Sequence, residues 1–293
     1  MPVIFKHPQL PDYFSRFVNV RADSPIDTIP SIAKFYELGS VISLPGLKFD
    51  IDHDYWASLS TEAFPKLKKL PSSPSKTDFA DDAVLHRRLR DAGIPEDFGR
   101  RLRREILRLY EQALPIYEAL FANYTFVRRH VVWRLNTIRN ENLHIDTYQD
   151  DFEEHFARLF INLDNQPRIW MTGYGVEEMF ERFADGIPQD VLATASPSKV
   201  RAALNTAAFG GRSTVWWDQQ PRHVAYFDPG DVWSVDSRQI AHQIFYGRRA
   251  VSIDFFVDRS TMLKPKRHYL ALAERQRAKA LAARAAVPAV AAE

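Results

Sequence analysis

The stretch that most constrains this chain covers residues 143–170, LHIDTYQDDFEEHFARLFINLDNQPRIW. His144 and Asp146 lie two residues apart at the end of a predicted strand, so an extended backbone points both side chains to the same side. A second predicted strand, at 156–163, comes next and carries Arg158 and Asn162 on one face. An imidazole and a carboxylate that converge in this way predict a metal site at the end of a β-sheet.

A third ligand is expected far downstream. A mononuclear Fe(II) site that activates oxygen uses two imidazoles and one carboxylate and leaves the remaining positions open. His242 is the best candidate, within PGDVWSVDSRQIAHQIFYGRRAVSIDFFVD at 229–258. Here a Pro-Gly-Asp turn starts a strand, a short link carries His242, and a final strand follows. His223 is an alternative that falls one strand too early. The predicted metal ligands are therefore His144, Asp146 and His242.

Composition limits the class of protein. The chain has 293 residues, 45% of them hydrophobic and 13% aromatic, which is enough for one well-packed domain. The absence of cysteine excludes disulfides, thiolate metal ligands and a cysteine nucleophile. A net charge of +2 and the lack of a glycine-rich phosphate loop argue against nucleic acid as a partner. No apolar run is long enough to span a membrane and no secretion signal is recognisable, so a cytoplasmic protein is expected.

The order of the predicted elements suggests three parts. Residues 1–38 are interrupted by proline and predict an irregular arm. Residues 39–260 predict a single β-rich domain with helices at about 81–121 and a helical insertion at about 175–208. Within it, strands are predicted at 39–51, 125–137, 156–163, 168–172, 214–217, 223–227, 231–235 and 249–257. This pattern predicts a mainly β fold, a double-stranded β-helix (jelly roll, cupin-like) buttressed by helices.

Two basic segments leave alternatives open. The loop at 66–78, KLKKLPSSPSKTD, is either a solvated surface crossing or a lid. The tail at 261–293 predicts a basic, alanine-rich helix that is either solvated or in peripheral contact with an anionic membrane surface.

The strand sequences also carry a family resemblance. A jelly roll with this His-Asp-His set resembles the Fe(II)- and 2-oxoglutarate-dependent oxygenases. More specifically, ARLFINLDNQPRIW after a His-x-Asp, together with SVDSRQIAH, is similar to the Kdo hydroxylases, which act on the 3-deoxy-octulosonic acid sugar of the lipopolysaccharide inner core. The residues that match that family's segment after the metal motif are Arg158, Phe160, Asn162, Arg168 and Trp170.

The resemblance implies Fe(II), 2-oxoglutarate as co-substrate, and O2. It also implies a basic residue that holds the far carboxylate of 2-oxoglutarate, a task suited to the planar fork of arginine. Arg249 ranks first because it begins the last strand seven positions after His242. Arg158, with Asn162 on the same strand face, is the alternative, and Arg248 would point to the opposite face.

The implied reaction is hydroxylation of an unactivated C–H bond, most directly in a Kdo-type sugar acid that could be lipid-linked, at the inner membrane. The acidic segment at 147–155, TYQDDFEEH, departs from the family pattern and leaves the substrate open. The same chemistry on a free amino acid, peptide or natural product is one alternative. A cupin-like binding module without catalysis is another, and a zinc hydrolase would leave the strand arginine without a role. The sequence does not predict an oligomeric state.

Overall fold

Two β-sheets carry the fold. The structure is a computed structural model that describes residues 2–14, 16–21, 23–59, 70–72, 87, 89–91, 93–135, 142–147, 153–210 and 220–286, with 70–72 and 128–135 described through their backbone. The strands are β1 Val3–Phe5, β2 Arg16–Phe17, β3 Ile42–Ser43, β4 Leu70–Ser72, β5 Phe126–Leu135, β6 His155–Asn162, β7 Arg168–Gly175, β8 His223–Phe227, β9 Val232–Ser234, β10 Ile240–Tyr246 and β11 Arg249–Val257. The α-helices are α1 Ala33–Tyr36, α2 His53–Ser58, α3 Glu96–Leu120, α4 Val176–Phe183, α5 Gln189–Thr194, α6 Pro197–Phe209 and α7 Tyr269–Ala286.

The smaller sheet has four strands in the order β1-β8-β7-β10, and the larger has seven in the order β2-β3-β9-β6-β11-β5-β4. Strands β2 and β3 pair in parallel, and the other pairings are antiparallel. Most neighbours in these sheets are not consecutive in the chain, so the path crosses repeatedly between the sheets.

The two faces of the larger sheet have different neighbours. On one face, Leu159 and Ile253 belong to an apolar cluster with residues of helix α3 such as Ile106. On the other face, Phe160 of β6 belongs to a cluster with Trp170 of the smaller sheet. Because side chains alternate along a strand, the larger sheet is covered by helices on one side and by the smaller sheet on the other.

Helix α3 follows the sequence prediction closely. It begins after Pro95, and Glu96 and Asp97 in its first turn place negative charge near the positive end of the helix dipole. It continues through Pro115 as one helix. The predicted start near residue 81 lies outside the described residues.

The segment predicted as a helical insertion contains the three helices α4, α5 and α6 and is more divided than predicted. Pro197 starts helix α6 separately from α5, because proline suits the first position of a helix. Helix α6 ends at Gly210, whose φ of 73° is the left-handed conformation that glycine adopts at little cost. The C-terminal helix α7 packs on this insertion. Its Arg277 donates to the Ala195 carbonyl, and Arg284 donates to the carbonyl of Ile187.

The prediction of a link around His242 is wrong, because Ile240–Tyr246 forms strand β10. Its polar, buried His242 and Gln243 interrupt the apolar alternation that marks a strand, and register shifts break its pairing with β7. The structure also adds β1 and β2 to the arm that was expected to be irregular. The predicted strand at 39–51 is confined to Ile42–Ser43.

Some expectations fall on undescribed parts of the chain. The predicted strand at 214–217 lies outside the described residues, and of the loop at 66–78 the structure describes Leu70–Ser72, which pairs with β5. Among the helices of the described ranges, none has the length and apolar character that a membrane span requires.

Candidate metal centre

A short β-bridge joins the two histidines. The His144 amide donates to the His242 carbonyl at 3.1 Å, and the His242 amide donates to the His144 carbonyl at 2.8 Å. The ring centroids lie 4.7 Å apart. Strand β10 therefore fixes the position of the segment 142–146, although the two histidines are far apart in the sequence.

Asp146 completes the group. Its amide donates to the Ser237 carbonyl at 2.9 Å, which holds the carboxylate beside the two rings. The Asp146 Oδ1 atom lies 3.6 Å from His144 Nε2 and 3.9 Å from His242 Nε2. In the part of the chain that the structure describes, these three residues form a set whose ligand atoms lie within 4.8 Å of one another.

Backbone carbonyls orient both imidazoles. His144 Nδ1 lies 2.7 Å from the Asn142 carbonyl oxygen, and His242 Nδ1 lies 3.3 Å from that of Ile240. A hydrogen bond donated from Nδ1 to a carbonyl leaves the Nε2 lone pair available to a metal. Burial lowers the pKa of His242 to about 3, against the opposing charge of Asp146, so the ring is neutral near pH 7.

The second carboxylate oxygen of Asp146 is held by protein donors. Arg158 Nη1 donates to Oδ2 at 2.7 Å, and Ser237 Oγ donates to it at 2.6 Å. Arg158 is fixed in turn by Asp254, which accepts from its Nε at 3.0 Å. Burial opposes ionisation of Asp146, but the adjacent His144 and His242 rings and the Arg158 guanidinium hold its pKa well below the usual range.

The donor set fits a non-haem iron. Two imidazole Nε2 atoms and one carboxylate oxygen face one point, and such a set with open positions is the ligand type of Fe(II) oxygenases. All three side chains are at most slightly exposed. This arrangement also suits other divalent ions that accept nitrogen and oxygen ligands.

Arg249 lies on the far face of its strand. It shares a strand face with Val251 and Ile253, which pack in the helix-side cluster. Its Nη1 atom pairs with Asp164 at 3.1 Å, and its Nε donates to the Leu59 carbonyl at 3.1 Å. The structure therefore does not bring Arg249 to the triad.

The other predicted residues are also placed. Asn162 closes the turn before β7, because its Nδ2 donates to the carbonyls of Gln166 at 2.9 Å and Phe227 at 3.0 Å. Trp170 lies next to the triad, with its ring centroid 5.5 Å from that of His242. His223 accepts from the His7 amide and lies outside the triad. Arg248 pairs with Asp164.

Sequence reasoning missed several residues around the triad. Ser237 donates to Asp146 directly, whereas Asp254 acts on Asp146 through Arg158. Alternation along β11 gave one signal, since Asp254 is the charged residue on the face opposite Val251 and Ile253. Asn205 and Arg201 of helix α6 contact the segment 142–146, and their spacing of four residues was the available signal.

The model of the 3-deoxy-D-manno-oct-2-ulosonic acid (Kdo) hydroxylase family matches residues 27–280. Among curated proteins, none matches the chain.

Solved structures of the Kdo hydroxylase KdoO, a non-heme Fe(II) alphaketoglutarate dependent dioxygenase, share the fold. Its complex with alphaketoglutarate and Fe(III) has a TM-score of 0.61 and 17% identity, and the match covers 89% of this chain and 95% of that chain. Its complex with succinate and Fe(III) has a TM-score of 0.61 and 15% identity over the same shares. Its complex with cobalt(II) has a TM-score of 0.60 and 16% identity, again over those shares.

Proposed function

The chain belongs to the Kdo hydroxylase family, and on that premise we propose that it is an Fe(II)- and 2-oxoglutarate-dependent dioxygenase that hydroxylates a Kdo-type sugar acid. The observation that carries the proposal is the convergence of His144 Nε2, His242 Nε2 and Asp146 Oδ1 on one point. The lipopolysaccharide inner core is the proposed context of that sugar. The two facing sheets are assigned to the jelly roll that the sequence predicts.

Each residue of the triad has a defined task in this proposal. His144 and His242 would hold Fe(II) through Nε2, since their Nδ1 atoms face backbone carbonyls. Asp146 would hold it through Oδ1, while Arg158 and Ser237 engage Oδ2. When bound, Fe(II) and 2-oxoglutarate would couple oxidative decarboxylation of the co-substrate to insertion of oxygen into a C–H bond.

The chain's own residues supply orientation and exclusion of water. Trp170 and Phe160 belong to the apolar cluster between the sheets, beside the triad. Burial of this kind strengthens the charged hydrogen bonds that hold Asp146. The protein thus keeps the ligand set dry and fixed before any substrate binds.

The anchor for 2-oxoglutarate is proposed to be Arg158 rather than Arg249. The side chain of Arg158 lies on the side of the larger sheet that faces the triad. Arg249 and its partner Asp164 lie on the other side of that sheet. Asn162 is proposed to act indirectly, because its amide is engaged by the turn before β7.

Peripheral contact of the C-terminal segment with an anionic membrane surface is a separate proposal. The exposed Lys264, Lys266 and Lys279 support it. Arg277 and Arg284 bind carbonyls of the helical insertion instead.

Release of succinate tests the function. The purified protein is loaded with Fe(II) and given 2-oxoglutarate and O2, with and without a Kdo-containing lipid A precursor, and His144→Ala serves as the control. We expect the sugar lipid to stimulate succinate release and to gain one oxygen atom in the mass spectrum. Succinate without stimulation would reject the Kdo substrate and favour an amino acid, peptide or natural product. No succinate and no bound iron would favour a binding module.

A further inference from the structure

One helix of the insertion binds the segment that carries two of the proposed ligands. Asn205 of helix α6 donates from Nδ2 to the Ile145 carbonyl at 2.9 Å and accepts from the Ile145 amide at 2.9 Å. The asparagine side chain therefore pairs with the backbone of Ile145 as a neighbouring strand would. Because Ile145 lies between His144 and Asp146, this pair fixes the peptide units that join the two ligands.

Two further contacts come from the same face of the helix. Arg201 lies four residues before Asn205 and Phe209 lies four residues after it, so the three share one face. Arg201 Nη2 donates to the Asp146 carbonyl, and the Phe209 carbonyl accepts from Asn142 Nδ2 at 2.6 Å. Successive turns of α6 thus bind the segment at its beginning, middle and end.

The Asn142 contact reaches a ligand through the backbone. The Asn142 carbonyl faces His144 Nδ1 at 2.7 Å and so sets the orientation of that ring. Its side chain, held by Phe209, fixes the residue that carries this carbonyl. A shift of the helix end would therefore change the direction of His144 Nε2.

Arg201 is an unusual residue for a purely structural helix. It is 1% exposed, and its Nε and Nη1 atoms have no hydrogen-bond partner among the residues that the structure describes. Its guanidinium lies 4.8 Å from the centroid of the Tyr269 ring. Buried N–H groups without acceptors are destabilising, and an apolar residue would avoid that cost. The contact with the Asp146 carbonyl gives a reason for an arginine here.

We propose that the face of helix α6 formed by Arg201, Asn205 and Phe209 is a clamp that positions the segment 142–146 for metal binding. The proposal rests on the proposed function, because it takes the triad to be a metal site. It makes Asn205 and Arg201 positioning residues and gives the helical insertion a role in the reaction.

Cobalt(II) is the probe for the test, since its visible absorption reports ligand geometry. Asn205→Ala removes both bonds to Ile145 and is expected to weaken Co(II) binding about 10- to 100-fold, the usual effect of losing a partner that orients a ligand. The absorption of bound Co(II) should also change. Arg201→Lys, which keeps one donor for the Asp146 carbonyl, should lose less affinity than Arg201→Ala.

Leu192→Ala is the matched control. Leu192 is fully buried in the apolar cluster of the same insertion and carries no polar group. Its truncation should lower the unfolding midpoint and leave Co(II) affinity and absorption unchanged. If wild type binds Co(II) and both Asn205→Ala and Arg201→Ala bind it equally well with the same spectrum, the clamp is rejected and the proposed function is retained. If wild type binds no Co(II), the proposed function is rejected with it.

Discussion

Arg158 and Asp146 are joined by a hydrogen bond of 2.7 Å from Nη1 to Oδ2, and this bond leaves Oδ1 facing the two imidazoles. The same arginine donates from Nε to Asp254, so one guanidinium links a strand of the larger sheet to the proposed ligand. Because Ser237 also donates to Oδ2, one oxygen is occupied by protein donors and the other is directed to the proposed metal position. We infer that this network favours binding of the metal through a single carboxylate oxygen.

Replacing Arg158 with Ala should affect both stability and metal binding. The change leaves Asp254 buried without its cation, and loss of one partner of a buried pair costs about 3–5 kcal/mol. It also frees Asp146 Oδ2, so Co(II) affinity should fall about 10- to 100-fold. Chemical denaturation and a Co(II) titration measure the two effects.

The double variant Arg158→Ala, Asp254→Asn separates these effects. It removes the uncompensated charge at Asp254 and should recover part of the stability, because a neutral amide is cheaper to bury than an unpaired carboxylate. It does not restore the donor to Asp146, so Co(II) affinity should stay low. Recovery of affinity in the double variant would contradict an orienting role for Arg158.

Replacing Arg249 with Lys should change stability more than co-substrate binding. Its fork binds Asp164 and the Leu59 carbonyl on the helix side of the larger sheet, and lysine cannot reproduce that planar geometry. We expect a lower unfolding midpoint and an apparent KM for 2-oxoglutarate close to that of wild type. Succinate release at varied 2-oxoglutarate measures it. A strong rise in that KM would return the anchor role to Arg249.

Much of this architecture follows from local sequence signals. The His-x-Asp at the end of a strand and the distant His242 could be combined because the ligand chemistry of Fe(II) demands one more imidazole. Strand β8 and strand β11 were predicted with the bounds that the structure gives, since their residues are rich in aromatic and β-branched types. The role of these residues as ligands stays a prediction.

Other features depend on register and on contacts between distant segments. Arg249 was ranked first because of its distance from His242 along the chain. Side chains alternate along a strand, so Arg249 lies on the same face of β11 as Val251 and Ile253, which is the apolar face. The contact between Asn205 and Ile145 joins a helix to a segment sixty residues earlier, and the spacing of Arg201 and Asn205 along the helix does not identify that segment. Strand β10 was missed because its buried polar residues His242 and Gln243 disrupt the signal of a buried strand.

Metal should stabilise the folded chain. A ligand that binds the native state alone, at one hundred times its dissociation constant, stabilises by about 2.7 kcal/mol. We therefore expect excess Co(II) to raise the unfolding midpoint of the metal-free protein and a chelator to reverse the effect. His144→Ala should abolish the rise, whereas His7→Ala, outside the triad, should retain it. An equal rise in the His144 variant would place the bound metal elsewhere.

Stability should fall between pH 7 and pH 5 because of two buried histidines away from the triad. Burial lowers the pKa of His155 to about 3, with a further contribution from Arg238 and opposition from Asp236, and burial beside Arg238 lowers that of His268 to about 3. Between about pH 6.5 and pH 3 the unfolded chain therefore binds more protons than the folded one. The contribution of these two histidines to the free energy of unfolding is fully present above pH 6.5. It is lost as the pH falls, by about 1.4 kcal/mol per pH unit for each histidine.

Chemical denaturation of the metal-bound protein from pH 7.5 to pH 5 measures this slope. His155→Asn should lower the slope of the free energy of unfolding against pH by the contribution of one histidine. The substitution removes one of the groups that must stay neutral in the folded state. The absolute stability of the variant at pH 7.5 serves as its own reference, so loss of packing does not affect the comparison. A slope as steep as that of wild type would show that His155 gains no proton on unfolding and would exclude it as a source of the acid sensitivity.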